Sequence, residues 1–532
     1  METHKMKRLK EIRKREDLKL RKTKHLKQTF THWDGSERDL KLRYYQVQGV
    51  LHLLACERFL LGDDTGLGKT LQSIAAHCYV VEKEPEAECI ILTNKSAVPQ
   101  WAGEFEKFTN GFTVFQYKGA VKKRQKILKE YMDAPHPKVL VMGYRTAVRD
   151  IASFQDWEGF TLICDEATAF KTPATQCFQT CRHLGNQAKR VWALTATLIK
   201  NNLMEGWGIY QVVSPGLFPT AKTAFMNLFC IVRMQRIKGG RRQVPLVVGY
   251  RKDQILAFKE RIEPYFLGRP KFEVAKELPP LTTKLVKFDM SNEQAHSYME
   301  ALDGLLEVFN AETQELEEKE VTKLTAVTYC QQIVNHLNLI GLDGRSAKLD
   351  ALEELLLDGD LAGQKVIVFS RFRKMVDIIM ETLKKKKVKC TRITGSEDED
   401  QRRAAQQAFQ DPKNDTNIIC ITTAATEAVN LQAAKAIIFY DTPWSGGDYL
   451  QALGRMIRIG SEHDKVYAFH LVTKDSIDQR VMEALKRKLK LIEAIIGKRL
   501  KGETDDFEVS TTNDISDLFS QLVNDARART TK

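Results

Sequence analysis

The amino-acid sequence predicts an α/β protein with two tandem parallel sheets. Short apolar segments that end in polar loops occur in two series, and amphipathic helical patterns lie between them. Strands that are buried on both faces and separated by helices are typical of parallel sheets. The length of 532 residues also exceeds what one hydrophobic core usually serves, so two or three domains are expected.

The strand-like segments divide between the two predicted sheets. The first sheet is predicted from four segments, at 89–94, 139–144, 160–167 and 190–197. The second is predicted from five segments, at 365–370, 390–395, 417–423, 436–441 and 465–472. Residues 221–345 show a largely helical pattern, and within them the acidic stretch 312–320 is predicted to be a solvent-facing helix. Because sheets of this kind bind nucleotides at the loops after their strands, each series predicts a nucleotide-type domain.

Composition narrows the choice of partner and compartment. The formal net charge of +13 favours a polyanionic partner, most often nucleic acid, with a membrane surface as the alternative. Residues 1–28 form a dense basic run, which is either a solvated helix or an arm that contacts phosphates. No apolar run approaches the roughly 20 residues of a membrane span, so a soluble protein is expected. Ten cysteines without a CxxC pair indicate a reducing compartment and argue against a zinc site.

The stretch LLGDDTGLGKTLQS, at 60–73, contains a phosphate-binding pattern. Its two later glycines allow backbone N–H groups to turn toward phosphate oxygens, and a helix that begins near the lysine adds its dipole. In such a loop the lysine contacts the β- and γ-phosphates, and the next hydroxyl binds Mg²⁺. A simple glycine turn is the alternative. The predicted ATP-binding residues of this loop are Gly66, Leu67, Gly68, Lys69 and Thr70.

Two further motifs indicate that the ATP is hydrolysed. Asp165 and Glu166 directly follow an apolar segment, where an aspartate can hold Mg²⁺ and a second carboxylate can orient or deprotonate water. Arg455 and Arg458 lie three residues apart, so on a helix they share a face, and guanidinium groups suit the charge of a γ-phosphate. An ordinary acidic loop and a basic surface helix are the respective alternatives. With the arginines in the second domain, ATP is expected to bind between the domains, as in a motor.

Motifs of one enzyme family occur in order along the chain. LRYYQVQGV places Gln46 where the family reads adenine, and DDTGLGKTLQS has the acidic pair, Asp63 and Asp64, that is usual before the family's phosphate loop. LTATLIKNNLMEGWGIYQVVSPGLFPT, at 194–220, is close to a signature of the family. The other matching motifs lie at 93–108, 165–176, 262–280, 366–379, 392–409, 430–444, 451–460 and 475–497. Because these motifs occur in the order that the family shows, residues 40–520 resemble the Swi/Snf-type ATPases of helicase superfamily two.

The resemblance implies two RecA-like lobes with helical insertions and a C-terminal helical brace. The implied parts are a basic extension, lobe 1, a helical protrusion or linker, lobe 2, and the brace with its tail, at 1–35, 36–290, 291–345, 346–475 and 476–532. The implied cofactors are ATP and Mg²⁺, with the metal held by Thr70 and Asp165. Thr195 and Thr197 would couple the ATP and DNA sites. Duplex nucleic acid would lie across both lobes and contact Lys95, Tyr144, Ser370, Arg371, Thr423 and Trp444.

The chain departs from the family pattern at three places. Thr168 stands where histidine or glutamine is usual, which alters one relay from the nucleotide. Gly268 replaces a usual arginine, which changes a contact between lobes. In the loop at 422–432, family glycine positions are taken by Ala425, Thr426 and Ala428, so glycine-only backbone angles are lost and coupling efficiency is in question.

Three functions stay open from the sequence. The resemblance favours an ATP-dependent translocase on duplex DNA, branched DNA included, that remodels or displaces bound protein or that reanneals or branch-migrates DNA. A strand-separating DNA or RNA helicase ranks lower because no separation hairpin or wedge domain is evident. A nucleic-acid-binding scaffold with a degenerate motor ranks lowest, because the residues predicted to hydrolyse ATP are intact. These are Lys69, Asp165, Glu166, Arg455 and Arg458.

The small size of the predicted motor bears on its setting. With no histone-reading or zinc module evident, we expect a compact, monomeric bacterial or viral enzyme that does not bind membranes. Protein cargo on DNA, or RNA polymerase, is the expected protein partner. The expected location is cytoplasmic and nucleoid-associated in a bacterial host, or nuclear in a eukaryotic one.

Overall fold

The computed structural model describes residues 23–31, 36–236, 243–274, 279–310, 315–320, 323–423, 429–458, 461, 463–496 and 522–523. The chain forms two compact units. The first contains the described residues before 277 together with 492–496. The second contains the described residues from 279 to 491 together with 522–523.

The first unit is built on a seven-stranded sheet in which each strand is parallel to its neighbours, in the order β11-β3-β8-β7-β4-β6-β5. Its central strands are buried because they consist of apolar, largely β-branched residues such as those of 89–93. The sheet strands are β3 (Arg58–Leu61), β4 (Cys89–Thr93), β5 (Thr113–Tyr117), β6 (Lys138–Gly143), β7 (Thr161–Asp165), β8 (Arg190–Leu194) and β11 (Phe266–Leu267). Two antiparallel pairs accompany it, β1 (Thr29–Thr31) with β2 (Glu37–Asp39) and β9 (Ile231–Arg236) with β10 (Gln243–Gly249).

Helices of the first unit follow the apolar periodicity of the sequence. In α3 (Val98–Phe108), the buried residues recur every three or four positions, and a proline stands in the first turn, where its missing N–H costs nothing. The other helices are α1 (Tyr44–Ala55), α2 (Lys69–Lys83), α4 (Val121–Asp133), α5 (Tyr144–Arg149), α6 (Gln176–Gln187), α7 (Leu203–Val213), α8 (Lys222–Phe229), α9 (Lys252–Ile262) and α10 (Lys271–Val274). Short 3-10 helices lie at Lys95–Ala97, Ile151–Phe154, Ala167–Phe170 and Glu263–Tyr265.

The second unit repeats this architecture with a six-stranded parallel sheet, in the order β12-β19-β18-β15-β17-β16. Its sheet strands are β12 (Leu281–Phe288), β15 (Val366–Phe369), β16 (Cys390–Ile393), β17 (Ile418–Ile421), β18 (Ala436–Phe439) and β19 (Val466–Thr473). β13 (Leu305–Asn310) and β14 (Glu315–Glu320) form a separate antiparallel pair. The helices are α11 (Asn292–Asp303), α12 (Lys323–Asn335), α13 (Ala347–Leu357), α14 (Arg373–Lys385), α15 (Glu399–Gln410), α16 (Gly446–Met456) and α17 (Ile477–Ile496), with a 3-10 helix at Leu337–Ile340.

The fold confirms the predicted two-sheet α/β class and all nine predicted strand segments. The helical prediction for 221–345 was wrong in part, since this region also contains the six strands from β9 to β14. Within the stretch 312–320, residues 315–320 form a strand rather than a helix, because they pair in antiparallel register with β13. β12 joins the second sheet beside β19, which differs from the predicted end of lobe 1 at residue 290.

The N-terminal basic run lies outside the described residues as far as position 22. Its last residues pack on the first unit: Leu26 is buried in the core and bridges to Thr109. The end of this run therefore belongs to the fold rather than to a solvated helix. None of the helices within the described ranges is long and apolar enough to cross a membrane.

Candidate functional site

Three neighbouring strands of the first sheet bring the predicted ATP residues to one edge. β8 lies between β3 and β7, and all three are parallel, so their carboxyl ends meet there. The loop at 62–68 follows β3, the Thr195–Thr197 turn follows β8, and the acidic pair closes β7 and begins its loop. The backbone N–H of Thr195 donates to the carbonyl of Leu61 at 3.2 Å, which joins the first two of these ends. Crevices of this kind are where open parallel sheets bind ligands.

The loop after β3 has the backbone of a phosphate cradle. Gly66 and Gly68 adopt φ angles of 82° and 77°, and α2 begins at the next residue, Lys69. A side chain at position 68 would be strained by this angle, and its Cβ would lie 2.6 Å from Nε2 of Gln46. That amide is buried, and it donates to the carbonyl of Leu67 at 3.3 Å. The predicted adenine-reading glutamine therefore also supports the loop.

The lysine and hydroxyl of the loop lie at the start of α2. Lys69 Nζ donates to the backbone carbonyls of Asp63 at 2.7 Å and Asp64 at 3.4 Å, so the ammonium lies inside the loop. Thr70 is half-buried, and its carbonyl accepts from the hydroxyl of Ser73. A helix amino terminus with an adjacent lysine favours a bound phosphate.

The acidic residue that begins the loop has a structural partner. Asp63 is fully buried, and the guanidinium of Arg269 holds both of its oxygens, with Nε to Oδ1 at 2.8 Å and Nη2 to Oδ2 at 2.5 Å. Gln72 donates to the same carboxylate at 3.0 Å. Sequence analysis missed Arg269, which lies 206 positions away, and only the apolar β11 just before it could have pointed to it. This ion pair balances the negative charge of Asp63 beside the phosphate loop.

Gly268, where the family usually has arginine, has a packing role. A Cβ at this position would lie 2.5 Å from the ring of Phe266, and a Cβ at Gly62 would lie 2.3 Å from the same ring. The aromatic ring thus lies against two glycines that directly follow the neighbouring strands β3 and β11. Arginine at position 268 would require this ring to move.

The acidic pair after β7 is held firmly. Oδ2 of Asp165 accepts from Thr93 Oγ1 at 3.0 Å and from Trp101 Nε1 at 2.8 Å, so the tryptophan of the motif at 93–108 orients this carboxylate. Glu166 adopts φ 53° and ψ 59°, a left-handed conformation that non-glycine residues rarely take. Such strain is found mainly where function requires it.

The predicted coupling residues form a closed turn. Thr195 and Thr197 are each 1% exposed, and the hydroxyl of Thr195 donates to the carbonyl of Thr197 while it accepts from that residue's N–H at 3.1 Å. The turn lies at the end of β8, between the phosphate loop and the acidic pair. Thr168 lies in the 3-10 helix after the acidic pair, and its carbonyl accepts from the N–H of Lys171.

The two predicted nucleic-acid contacts of the first unit differ in access. Lys95 is exposed, and its backbone lies next to Gly143, just before Tyr144. Tyr144 is buried, its hydroxyl donates to the carbonyl of Asp165 at 2.7 Å, and burial raises the pKa of this phenol. The structure therefore brings these residues together, but gives the tyrosine side chain a supporting position beneath the acidic pair.

In the second unit, a buried carboxylate holds the turn after β15. Asp441 accepts from the hydroxyl of Ser370 at 2.5 Å and from the backbone N–H of Arg371 at 2.8 Å. Burial raises the pKa of this aspartate, although nearby positive charge opposes the shift. Thr423 lies just after β17, and Trp444 is half-buried against the cluster formed by α11 and α12. Sequence analysis missed Asp441, whose only signal is an acidic residue directly after an apolar strand segment.

The two predicted arginine fingers do not share a helical face. α16 ends at Met456 and Ile457 is extended, so Arg455 lies in the helix and Arg458 beyond it. Both nevertheless donate to the carbonyl of Val429, at 3.3 and 2.8 Å. Burial, together with the charge of Arg455, lowers the pKa of Arg458. The loop positions 425, 426 and 428 and the basic loop at 238–242 lie outside the described residues.

The cysteines and acidic residues do not suggest a metal centre of their own. All ten cysteines are free thiols, and eight of them are buried. Among the described residues, no group of three or more histidine, cysteine, aspartate and glutamate side chains is placed to hold a metal ion. A metal at the strand ends would therefore need oxygen atoms from a ligand as well as from the protein, as Mg²⁺ does with phosphates.

Comparison with known protein families assigns the chain. Residues 45–339 match the SNF2-related domain, and residues 347–460 match the helicase conserved C-terminal domain. The first match alone covers more than half of the 532 residues, so the chain belongs to the SNF2-related family. This confirms the resemblance to Swi/Snf-type ATPases noted in the sequence.

Individual relatives are distant and longer. The chain is 27% identical over 475 residues to nuclear protein STH1/NPS1 of Saccharomyces cerevisiae, which covers 84% of this chain and 34% of that protein. It is 26% identical over 501 residues to the probable ATP-dependent DNA helicase CHR12 of Arabidopsis thaliana, at 91% and 44% coverage. The chain thus spans less than half the length of these relatives. It is also similar to the Sulfolobus solfataricus SWI2/SNF2 ATPase core in complex with dsDNA, at 23% identity, a TM-score of 0.40, and 92% and 97% coverage.

Proposed function

We propose that this chain is an ATP-driven motor that tracks along duplex DNA without separating its strands. The observation that carries the proposal is the shared edge of β3, β8 and β7, where the phosphate loop, the threonine turn and the acidic pair follow three adjacent strands. Membership of the SNF2-related family supports ATP as the fuel. Relatives of the chain include proteins named as chromatin-remodelling subunits and a probable ATP-dependent DNA helicase, which supports DNA as the track.

The residues of the first unit would divide the work of hydrolysis. Lys69 would exchange its carbonyl contacts for the β- and γ-phosphate oxygens, and the N–H groups of the glycine loop would bind the same charge. Gln46, already fixed to the loop by its amide, would contact the adenine. Glu166 would orient and deprotonate the attacking water, and its left-handed backbone holds it for that task.

A magnesium ion fits the oxygen donors at this edge. Thr70 is the second residue of α2, directly after the loop lysine, and Asp165 receives two hydrogen bonds on Oδ2 that fix its carboxylate. These two residues would hold the ion. When bound, Mg²⁺ supplies positive charge that neutralises the phosphates.

The second unit would supply the arginines and part of the DNA contact. Arg455 and Arg458 are held on the carbonyl of Val429, and we assign them to the charge of the γ-phosphate. Ser370, Arg371, Thr423 and Trp444 would contact the duplex with Lys95 of the first unit. Thr195 and Thr197 would transmit the state of the nucleotide. We assign one of three outcomes to movement of the motor along DNA: displacement of bound protein, reannealing, or branch migration. The protein would be soluble and associated with DNA.

The test compares ATP hydrolysis with duplex DNA, single-stranded DNA and RNA side by side, together with triplex displacement and strand unwinding. We expect duplex DNA to stimulate hydrolysis most, triplex displacement to be positive and unwinding to be negative. Lys69→Ala, which removes the phosphate partner, is the inactive control. Efficient unwinding, or stimulation by RNA alone, would contradict the proposal and favour a helicase.

A further inference from the structure

Two amide side chains on α12 lie at the predicted DNA-binding residues of the second unit. Gln331 contacts two of these residues directly, and Asn335 contacts Asp441, which in turn holds the turn after β15. Gln331 and Asn335 lie four residues apart, so they share one face of the helix. With its oxygen turned toward both donors, the Gln331 amide accepts from Arg371 Nη1 at 3.2 Å and from Trp444 Nε1 at 2.7 Å. One oxygen therefore joins a guanidinium and an indole that come from loops 73 residues apart in the chain.

Asn335 acts one turn further along the helix. It is fully buried, and its Nδ2 donates to Asp441 at 3.3 Å. The same aspartate holds the hydroxyl of Ser370 and the backbone N–H of Arg371. Gln331 thus holds the side chain of Arg371, and Asn335, through Asp441, holds its backbone.

A buried ion pair anchors Asn335 in turn. Lys348, which is fully buried, donates to Asn335 Oδ1 at 3.0 Å and to Asp478 Oδ2 at 2.6 Å. Asp478 lies in the first turn of α17, and it also accepts from the N–H of Thr473. Removing one partner from such a buried group leaves an unpaired charge, so this chain of contacts resists rearrangement.

We propose that Gln331 is a positioning residue that holds Arg371 and Trp444 in one arrangement for the backbone of duplex DNA. This inference rests on the proposed function. An arginine that is already fixed loses less conformational freedom when it meets a phosphate than a free one does. The network of Asn335, Lys348 and Asp478 keeps α12, and hence Gln331, in register with the turn that it serves.

The test is the binding of fluorescently labelled duplex DNA by the full chain over a range of salt concentrations, in the absence of nucleotide. Gln331→Leu removes the acceptor at nearly the same size, and we expect about tenfold weaker binding. The log–log salt slope should become shallower by about 0.9, the value for one phosphate contact.

Two controls separate positioning from a general effect on folding. Gln332→Leu changes the adjacent amide of the same helix and should keep the wild-type affinity and slope. In an Arg371→Ala background, Gln331→Leu should weaken binding little further, because both changes remove the same contact.

Each contrary outcome has a distinct meaning. An unchanged salt slope in Gln331→Leu would overturn the positioning role. So would binding losses that add fully when Gln331→Leu is combined with Arg371→Ala, or equal losses of affinity in Gln331→Leu and Gln332→Leu. Wild-type protein that binds duplex with the expected variant pattern, yet shows no duplex-stimulated hydrolysis, would contradict the proposed function and leave the positioning role standing. Wild-type protein that fails to bind duplex would overturn both.

Discussion

Each unit buries an aspartate two residues beyond the end of a parallel strand, Asp63 after β3 and Asp441 after β18. The partners differ. Asp63 receives the two-pronged guanidinium of Arg269, a full positive charge. Asp441 receives a hydroxyl, a backbone N–H and an amide, which are neutral donors. The same position in two similar sheets is therefore stabilised in one case by a direct ion pair and in the other by hydrogen bonds from neutral groups, with positive charge only nearby.

The difference follows from what each carboxylate supports. Asp63 begins the phosphate loop, and its own carbonyl accepts from Lys69, so a neutralised side chain keeps negative charge away from a bound triphosphate. Asp441 fixes a turn that is predicted to meet DNA, and burial raises the pKa of its carboxyl group. The first arrangement depends on charge, and the second depends on hydrogen-bond geometry.

The largest effect should come from Asp63→Asn. This change leaves the buried Arg269 guanidinium without its counter-charge, and breaking a buried ion pair costs about 3–5 kcal/mol. We expect the free energy of unfolding of the first unit to fall by that amount, measured by urea titration with hydrogen-exchange mass spectrometry on peptides from α2. Adding Arg269→Met should recover part of the loss, because no unpaired charge then stays buried. A double variant that is as unstable as the single one would contradict this account.

Glu166→Gln tests the chemistry at the same sheet edge. ATP binding should persist, and hydrolysis should slow by at least about a hundredfold, the scale for loss of a positioned general base. Single-turnover hydrolysis and nucleotide binding, measured separately, check the two halves of this expectation. Glu158→Gln, an exposed neutralisation ahead of the same strand, is the matched control. Turnover at the wild-type rate in Glu166→Gln would remove the assignment of the base.

The two units also differ in how they bury a basic side chain, and this difference predicts a pH dependence of stability. Lys348 of the second unit has an aspartate partner, whereas His77 on α2 is buried with no hydrogen-bond partner on either ring nitrogen among the described residues. Burial, together with the charges of Arg190 and His25, lowers the pKa of His77 to about 3. Because the unfolded chain binds this proton near pH 6.5, the stability of the neutral form is complete above that pH and is lost as the pH falls toward 3.

The expected size is about 2 kcal/mol between pH 7.5 and pH 5, since each pH unit below 6.5 costs about 1.4 kcal/mol. Urea unfolding of the first unit at the two pH values measures it. His77→Leu should remove that part of the pH dependence whatever its own effect on stability. The same pH dependence in the variant would show that other groups cause it.

Sequence reasoning reaches furthest where the chemistry is local. The glycines, the lysine and the hydroxyl of the phosphate loop lie within five consecutive positions, and Asp165 and Glu166 come at the end of a strand that its apolar run reveals. It could not find Arg269, because the pair with Asp63 joins residues 206 positions apart. The amides of Gln331 and Asn335 were missed for the same reason, since nothing near them in sequence marks their partners.

Other misses arose at the ends of elements. The spacing of Arg455 and Arg458 indicated one helical face, but the chain becomes extended at Ile457 before the second arginine, although the sequence has no breaker there. The acidic stretch at 312–320 has charges typical of an exposed helix, and its strand at 315–320 depends on pairing with β13. In the second case the pairing with another segment decided the local conformation, and such pairing is not visible in a local pattern.

The smallest effect should come from Asp441→Asn, the same substitution in the second unit. Its hydrogen-bond partners are neutral donors. The new amide oxygen can still accept from the N–H of Arg371, and the hydroxyl of Ser370 can turn to accept from the new NH₂ group, so only the long 3.3 Å bond from Asn335 Nδ2 is lost. Because the folded-state pKa of Asp441 is raised, its contribution to stability is complete below the unfolded pKa and is lost as the pH rises through the folded value. The neutral asparagine avoids that loss, so at pH 7 the free energy of unfolding of the second unit should change by less than about 1 kcal/mol.

The loss of stability in Asp441→Asn relative to wild type should be greater at pH 4 than at pH 7. Hydrogen exchange on peptides that span β18, during urea titration at both values, measures this. A loss at pH 7 as large as that of Asp63→Asn would mean that the two carboxylates are held by charge in the same way.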